Sequence, residues 1–171
     1  RQRQMCIRDS HRINSKKLNI DENSILIIRG CGPVGYPGSA EVVNMQPPDR
    51  LLKKGINALP TLGDGRQSGT SESPSILHVS PESAVGGDLA IVKTGDKMTI
   101  DLNKRRVDLQ ITKSEFIKRR KKKRIKKLTN QTPWQEISRS NVGQLEDGAC
   151  IMSRDQYLDI TKTKGILRNS H

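Results

Sequence analysis

The 171 residues predict a β-rich α/β domain, a compact barrel or sandwich of short strands flanked by a few helices. Three observations carry this. Apolar runs such as Ile25–Ile28 and Ile76–Val79 are short and lead into Arg29-Gly30 and Ser80-Pro81. Helix signals are few and do not alternate evenly with strands, which argues against a regular βαβ repeat. Aromatic residues are scarce, with one Trp, two Tyr and one Phe, so the core is built from Ile, Leu, Val, Ala and Met.

Taken in order, Ile25–Ile28 reads as a short buried strand and Gly30–Gly38 as a Gly/Pro loop. Ser39–Met45 carries a helix signal with Ser39 as N-cap. Asp49–Gly55 reads as a short amphipathic helix closed by Gly55. Ile56–Leu62 is a second strand, Gly63–Ser73 a loop and Ile76–Val79 a third strand, followed by a helix start at Ser80-Pro-Glu-Ser. Leu89–Lys93 and Lys97–Leu102 are expected to pair across the Thr94-Gly-Asp96 turn. Arg106–Ile111 alternates Val107, Leu109 and Ile111 as a further strand. Ser114 is the expected cap of a basic helix reaching Leu128. Thr132-Pro133-Trp134 opens another helix with Pro in its first turn. Gly143–His171 is weakly patterned.

Charge is unevenly placed. The net +13 comes from two segments: residues 113–127 carry +9 and residues 1–17 carry +5, which leaves the rest with one net negative charge. A nucleic-acid-binding fold spreads basic charge over a face and adds aromatics for stacking. A charge run without aromatics argues against nucleic acid and leaves a basic binding module, for nucleic acid or an acidic partner, as the competing class. No apolar run approaches the ~20 residues of a membrane span. Cys6, Cys31 and Cys150 are far apart with no C-x-x-C pair, which fits a reducing, cytoplasmic setting.

Residues 1–17 show no apolar period and resemble translated sequencing-adaptor text, so they are set aside as a non-native segment. The chain opens on Arg1 rather than Met, the expectation for the tail of a longer protein. The organisation expected is a core over 18–112, a basic helix over 113–128 and an extension over 129–171 that packs on the domain and its site.

Gly30-x-Gly32-x-x-Gly35 after an apolar strand has the letters of a dinucleotide-binding turn. That turn needs a helix at the third glycine and an acid ending the next strand. Pro33 and Pro37 stand where the turn and helix would form, and Asp49 precedes a helix. Two other readings remain: a tight strand-end loop, or a loop whose glycines let backbone approach a ligand with Glu41 pointing into the same site. The second glycine-rich loop, Gly63-Asp-Gly-Arg-Gln-Ser-Gly-Thr70, is no nucleophile elbow, which needs G-x-S-x-G. Together the loops offer a carboxylate, an Arg and hydroxyls, which suits an oxyacid and Mg²⁺. Lys118–Lys127 reads as a solvated helix face, Cys31 and Cys150 as buried small residues, His78 as a packed core histidine and His171 as a chain end.

Ile28-Arg-Gly-Cys-Gly-Pro-Val-Gly-Tyr-Pro-Gly-Ser-Ala-Glu41, Gly63-Asp-Gly-Arg-Gln-Ser-Gly-Thr70, Ser80-Pro-Glu-Ser-Ala-Val-Gly-Gly87 and Lys93-Thr-Gly-Asp96 resemble, in the same order, the C-terminal domain of the dihydroxy-acid and sugar-acid dehydratase family. The resemblance runs from Leu18 to Ile111 and continues more loosely through Thr132-Pro-Trp-Gln-Glu136 and Val142-Gly-Gln144. The Gln67-Ser68-Gly-Thr70 form and the Thr-Pro-Trp-Gln-Glu tail are most similar to the pentonate branch, arabinonate and xylonate dehydratases.

The resemblance implies a swivelling β-barrel-like domain flanked by helices, the C-terminal part of a two-domain hydro-lyase. It implies loss of water from a 2,3-dihydroxy acid to give a 2-keto-3-deoxy acid, with branched-chain dihydroxy-acid dehydratase as the nearest alternative. It implies an iron–sulfur cluster, [2Fe-2S] favoured over [4Fe-4S], with ligands in an N-terminal domain outside this chain, and Mg²⁺. Implied partners are the small sugar acid, the chain's own N-terminal domain and further copies in a dimer or tetramer. By position, Glu41 falls at the family's Mg²⁺ ligand, Ser68 at the serine acting as base and Thr70 at the hydroxyl beside it. Arg66 is assigned to substrate binding, and His171 resembles a terminal histidine that reaches substrate. The chain departs from the family in having no cysteine in the cluster context and in the strong basicity of 118–127.

Overall fold

In a computed structural model of the chain, residues 12–41, 45–69, 74–122, 131–151 and 153–164 are described. Three short strands, β1 (Leu26–Ile28), β2 (Thr61–Gly63) and β3 (Ser75–Ile76), form a parallel sheet in the order β1-β2-β3. The register sets Ile27 against Leu62 and Leu62 against Ile76. A separate antiparallel pair joins β4 (Met98–Asp101) to β5 (Arg106–Leu109), with Ile100 against Val107. The described content is mixed α/β, and the described strands do not close into a barrel.

Successive strand residues point to opposite faces, and β1 shows the consequence. Leu26 packs with Leu51 and Leu59, while Ile25 and Ile27 pack on the other side with Leu62, Leu89 and Val92. The sheet therefore lies between two small apolar clusters. Its central strand β2 is buried along its length, and burial on both faces is what short, unbroken apolar runs in parallel strands require. Helix α1 (Asp49–Leu52) contributes Leu51 to the first cluster, and Gly55, at φ +81°, turns the chain away after it. Ile13 also packs there, and Asn14 accepts the Asp49 N–H at 2.8 Å, so residues 12–17 are joined to the body.

Several elements differ from the sequence expectation, each for a tertiary reason. Ser39–Met45 was expected to be helical; residues 39–41 and 45 lie outside any helix. The Ser39 carbonyl is taken by Arg66 Nη2 at 3.0 Å, and the Ser39 N–H closes a turn on Tyr36. The second strand starts at Thr61 rather than Ile56, because Ile56 N–H folds back on the Leu51 carbonyl. Leu89–Lys93 forms no strand. Asp88–Ile91 is a 3₁₀ turn, and carbonyls of the turn and of the following Val92 accept from Arg29, with Nη1 3.3 Å from Leu89 O and 2.7 Å from Val92 O. The hairpin partner of the 97–102 strand is consequently β5.

After a cis Ser80–Pro81 bond, residues Ser83–Val85 make one 3₁₀ turn. Gly87 lies so close to the Pro81 carbonyl that a side chain there would overlap it. Helix α2 (Lys113–Lys122) is capped by Thr112, whose Oγ1 accepts the Glu115 N–H at 3.2 Å, and not by Ser114. Its expected extension to Leu128 lies outside the described residues. Helix α3 (Pro133–Asn141) begins as predicted: Thr132 Oγ1 accepts from Gln135 N–H, and Gln135 Oε1 accepts from Thr132 N–H. The weakly patterned tail contains helix α4 (Arg154–Lys164). No helix among the described residues is long and apolar enough to cross a membrane.

Candidate active site

Parallel strands deliver their carboxyl ends to one edge of a sheet, where open α/β folds bind ligands. Here β1 and β2 open onto the two glycine-rich loops, 29–41 and 64–69. Asp64, the first residue after β2, is 1% exposed. Its carboxylate accepts the N–H groups of Gly30 and Cys31 at 3.0 Å each. It also accepts the Ser83 N–H at 2.9 Å and the Ser83 hydroxyl at 2.5 Å. One carboxylate thus joins the first loop, the second loop and the 80–87 segment.

Glu82 repeats the device from the other side. It is fully buried, and its carboxylate accepts Val34 N–H at 2.8 Å, Gly35 N–H at 2.7 Å and Gln144 Nε2 at 2.9 Å. Gln144 Oε1 in turn accepts the Glu82 N–H. Gly32 packs onto the Glu82 carboxylate with no room for a Cβ, which explains that glycine. Helix α3 completes the clamp: Gln135 Nε2 donates to Pro37 O and Arg139 Nε to Val34 O, both at 2.8 Å.

This settles the chemistry of the Gly30–Gly35 loop. A nucleotide turn offers free backbone N–H groups to phosphate. Here the amides of Gly30, Cys31, Val34 and Gly35 are spent on two carboxylates, whose charge repels phosphate. No helix opens at Gly35.

Of the residues singled out from sequence, Glu41 is exposed at the end of the first loop. Ser68 is 8% exposed on the second. Arg66 is exposed and donates to Ser39 O, so the loops touch two residues before each of Glu41 and Ser68. Thr70 and His171 lie outside the described residues. Asp64 and Glu82 were missed. Their signal was an acid placed directly after an apolar strand between two glycines, and an acid inside a Ser/Pro/Gly-rich segment. Cys31 and Cys150, expected to be buried, are half-buried. His78, expected in the core, is exposed and left-handed at φ +60°, because its backbone and ring both serve the second loop.

The described residues hold no group of three or more His, Cys, Asp or Glu side chains placed to bind a metal ion. The oxygens of Asp64 and Glu82 accept hydrogen bonds within the fold, whereas Glu41 is exposed. These residues alone complete neither an Mg²⁺ site nor a cluster site.

The basic helix is anchored rather than wholly solvated. Arg119 forms a two-point pair with Asp96, at 2.5 and 3.0 Å, and its Nε meets Glu115 at 2.7 Å. Both partners of the first pair are nearly buried. Hydrogen bonding to Arg119, ahead of its charge, holds the carboxyls of Asp96 and Glu115 below their usual values. A depressed carboxylate contributes its stability above its ordinary value and loses it as pH falls through the lowered one. Wild-type chain should therefore lose stability below about pH 4 more steeply than Asp96→Asn, in thermal melts compared at pH 7 and pH 3. Equal slopes would contradict the anchoring role.

Residues 5–149 match the family model described as Dihydroxy-acid/6-phosphogluconate dehydratase C-terminal. The chain is 54% identical over 149 residues to D-xylonate dehydratase of Caulobacter vibrioides, covering 87% of this chain and 25% of that protein. It is 49% identical over 108 residues to L-arabinonate dehydratase of Rhizobium leguminosarum bv. trifolii, covering 63% and 19%. A dihydroxy-acid dehydratase of Thermodesulfovibrio yellowstonii is 45% identical over 103 residues, covering 60% and 18%. The chain thus spans a quarter or less of the length of these relatives.

Proposed function

Because this chain belongs to the dihydroxy-acid/6-phosphogluconate dehydratase family, we propose that it is the C-terminal part of a pentonate-type sugar-acid dehydratase. The reaction class is water elimination from a 2,3-dihydroxy acid to a 2-keto-3-deoxy acid. The observation that carries the reading is the lacing of two strand-end loops by Asp64, which sets the Glu41 loop beside the Ser68 loop. The 54% identity to the xylonate relative supports a pentonate substrate, with a branched-chain dihydroxy acid as the alternative.

In this reading Ser68, as its alkoxide, takes the proton at C2, the C3 hydroxyl leaves and is protonated to water, and the resulting enol tautomerises to the 2-keto acid. A serine hydroxyl is a weak base, so its burial beside a preorganised loop needs positive charge from outside the chain. Glu41 would supply one oxygen ligand to Mg²⁺, which when bound would stabilise negative charge on the substrate carboxylate. Thr70 and Arg66 orient substrate, and His171 is assigned to reach it. The iron–sulfur ligands and most Mg²⁺ ligands belong to an N-terminal domain outside this chain. The domain is cytoplasmic and works in a homo-oligomer.

The complete protein carrying this chain, assayed for 2-keto acid formation, should turn over xylonate or arabinonate faster than a branched-chain 2,3-dihydroxy acid. Ser68→Ala should lower turnover by about a thousandfold or more with an unchanged circular dichroism spectrum. Undiminished turnover in that variant, or no 2-keto acid from any substrate, would overturn the reading.

A further inference from the structure

We propose that His78 is a positioning residue for the Ser68 loop, an inference that rests on the role given to Ser68 above. Beyond β3 the chain runs beside the second loop and holds it at alternate residues. Val79 N–H donates to Gly63 O and His78 N–H to Gly65 O, both at 3.0 Å. The Gln67 N–H then donates to His78 Nε2 at 3.3 Å, and Gln67 Nε2 donates to Ser75 Oγ at 2.6 Å. His78 thus holds the loop twice, once through its backbone and once through its ring.

The backbone of His78 lies at φ +60°, a left-handed region that L-residues seldom occupy unless the surroundings require it. That conformation lets the same residue reach Gly65 and Gln67 together. The ring accepts through Nε2 only when it is neutral and carries its proton on Nδ1. The bonded amide belongs to Gln67, directly before Ser68, so the ring fixes the chain on which Ser68 sits. Displacement of a reacting group by about 1 Å costs on the order of a hundredfold in rate.

Three measurements test this. In the wild-type chain, ring ¹⁵N shifts should report His78 with the proton on Nδ1; a proton on Nε2 overturns the proposal whatever any variant does. Glycine tolerates the left-handed backbone without the ring, so His78→Gly should raise hydrogen exchange at the Gln67 amide by about tenfold or more. Asparagine tolerates the same backbone and carries a side-chain oxygen, so His78→Asn should recover part of the protection. In the complete enzyme, His78→Gly should lower kcat by about ten- to a hundredfold with KM changed less than about threefold, and His78→Asn should be intermediate.

Unchanged Gln67 exchange overturns the contact. Raised exchange with wild-type kcat, while Ser68→Ala is inactive, overturns the positioning role and leaves the proposed function standing. Full turnover in Ser68→Ala removes the proposed function and this role with it.

Discussion

Glu82→Ala should destabilise the chain by about 3–6 kcal/mol. The carboxylate is fully buried and accepts from Val34 N–H, Gly35 N–H and Gln144 Nε2. Truncation leaves three donors without an acceptor, and each buried, unpaired donor costs about 1–3 kcal/mol. Set against a total stability of about 5–15 kcal/mol, the loss unfolds much of the population. Glu82→Gln keeps the shape but exchanges one oxygen for an NH₂. Val34 and Gly35 donate to different oxygens, so either amide orientation turns one N–H against an NH₂. Its cost should be smaller, about 1–3 kcal/mol. Urea unfolding followed by circular dichroism measures both. A wild-type midpoint for Glu82→Ala would show that the loop is held by other means.

The second large effect is expected at Asp64. Its Oδ2 accepts three donors, from Gly30 N–H, Ser83 N–H and the Ser83 hydroxyl, while Oδ1 accepts Cys31 N–H. In Asp64→Asn the amide oxygen can keep one side only. If it faces the three donors, the NH₂ confronts Cys31 N–H; if it faces Cys31, the NH₂ confronts two backbone N–H groups. Loss of the charge weakens the surviving bonds. A destabilisation of about 2–4 kcal/mol follows, with faster hydrogen exchange at Gly30 and Cys31. In the complete enzyme the same variant should lower turnover beyond what its stability loss explains, since Asp64 joins the loops carrying Glu41 and Ser68. Slow exchange at both amides in Asp64→Asn would contradict the lacing.

These residues separate what was legible from what was not. Strand β1, helix α1 and the proline-led start of α3 were readable because each signal is complete within a few residues. The Gly/Pro loop was rightly denied a helix at Gly35, since Pro33 and Pro37 act on their immediate neighbours. The four ordered motifs placed the chain in its family, because motif spacing along a chain survives without coordinates.

Tertiary structure decided the rest, through partners far away in sequence. Leu89–Lys93 has the composition of a strand, yet Arg29 meets its carbonyls from 60 or more residues away. Ser39 has the chemistry of an N-cap, but Arg66 claims its carbonyl. Asp64 and Glu82 look like ordinary surface acids until the donors around them are counted, and those donors lie 19–62 residues away. Local sequence determines what a segment can do alone. Which polar groups are buried depends on which amides folding brings to them, and a buried carboxylate is tolerated only where those amides arrive.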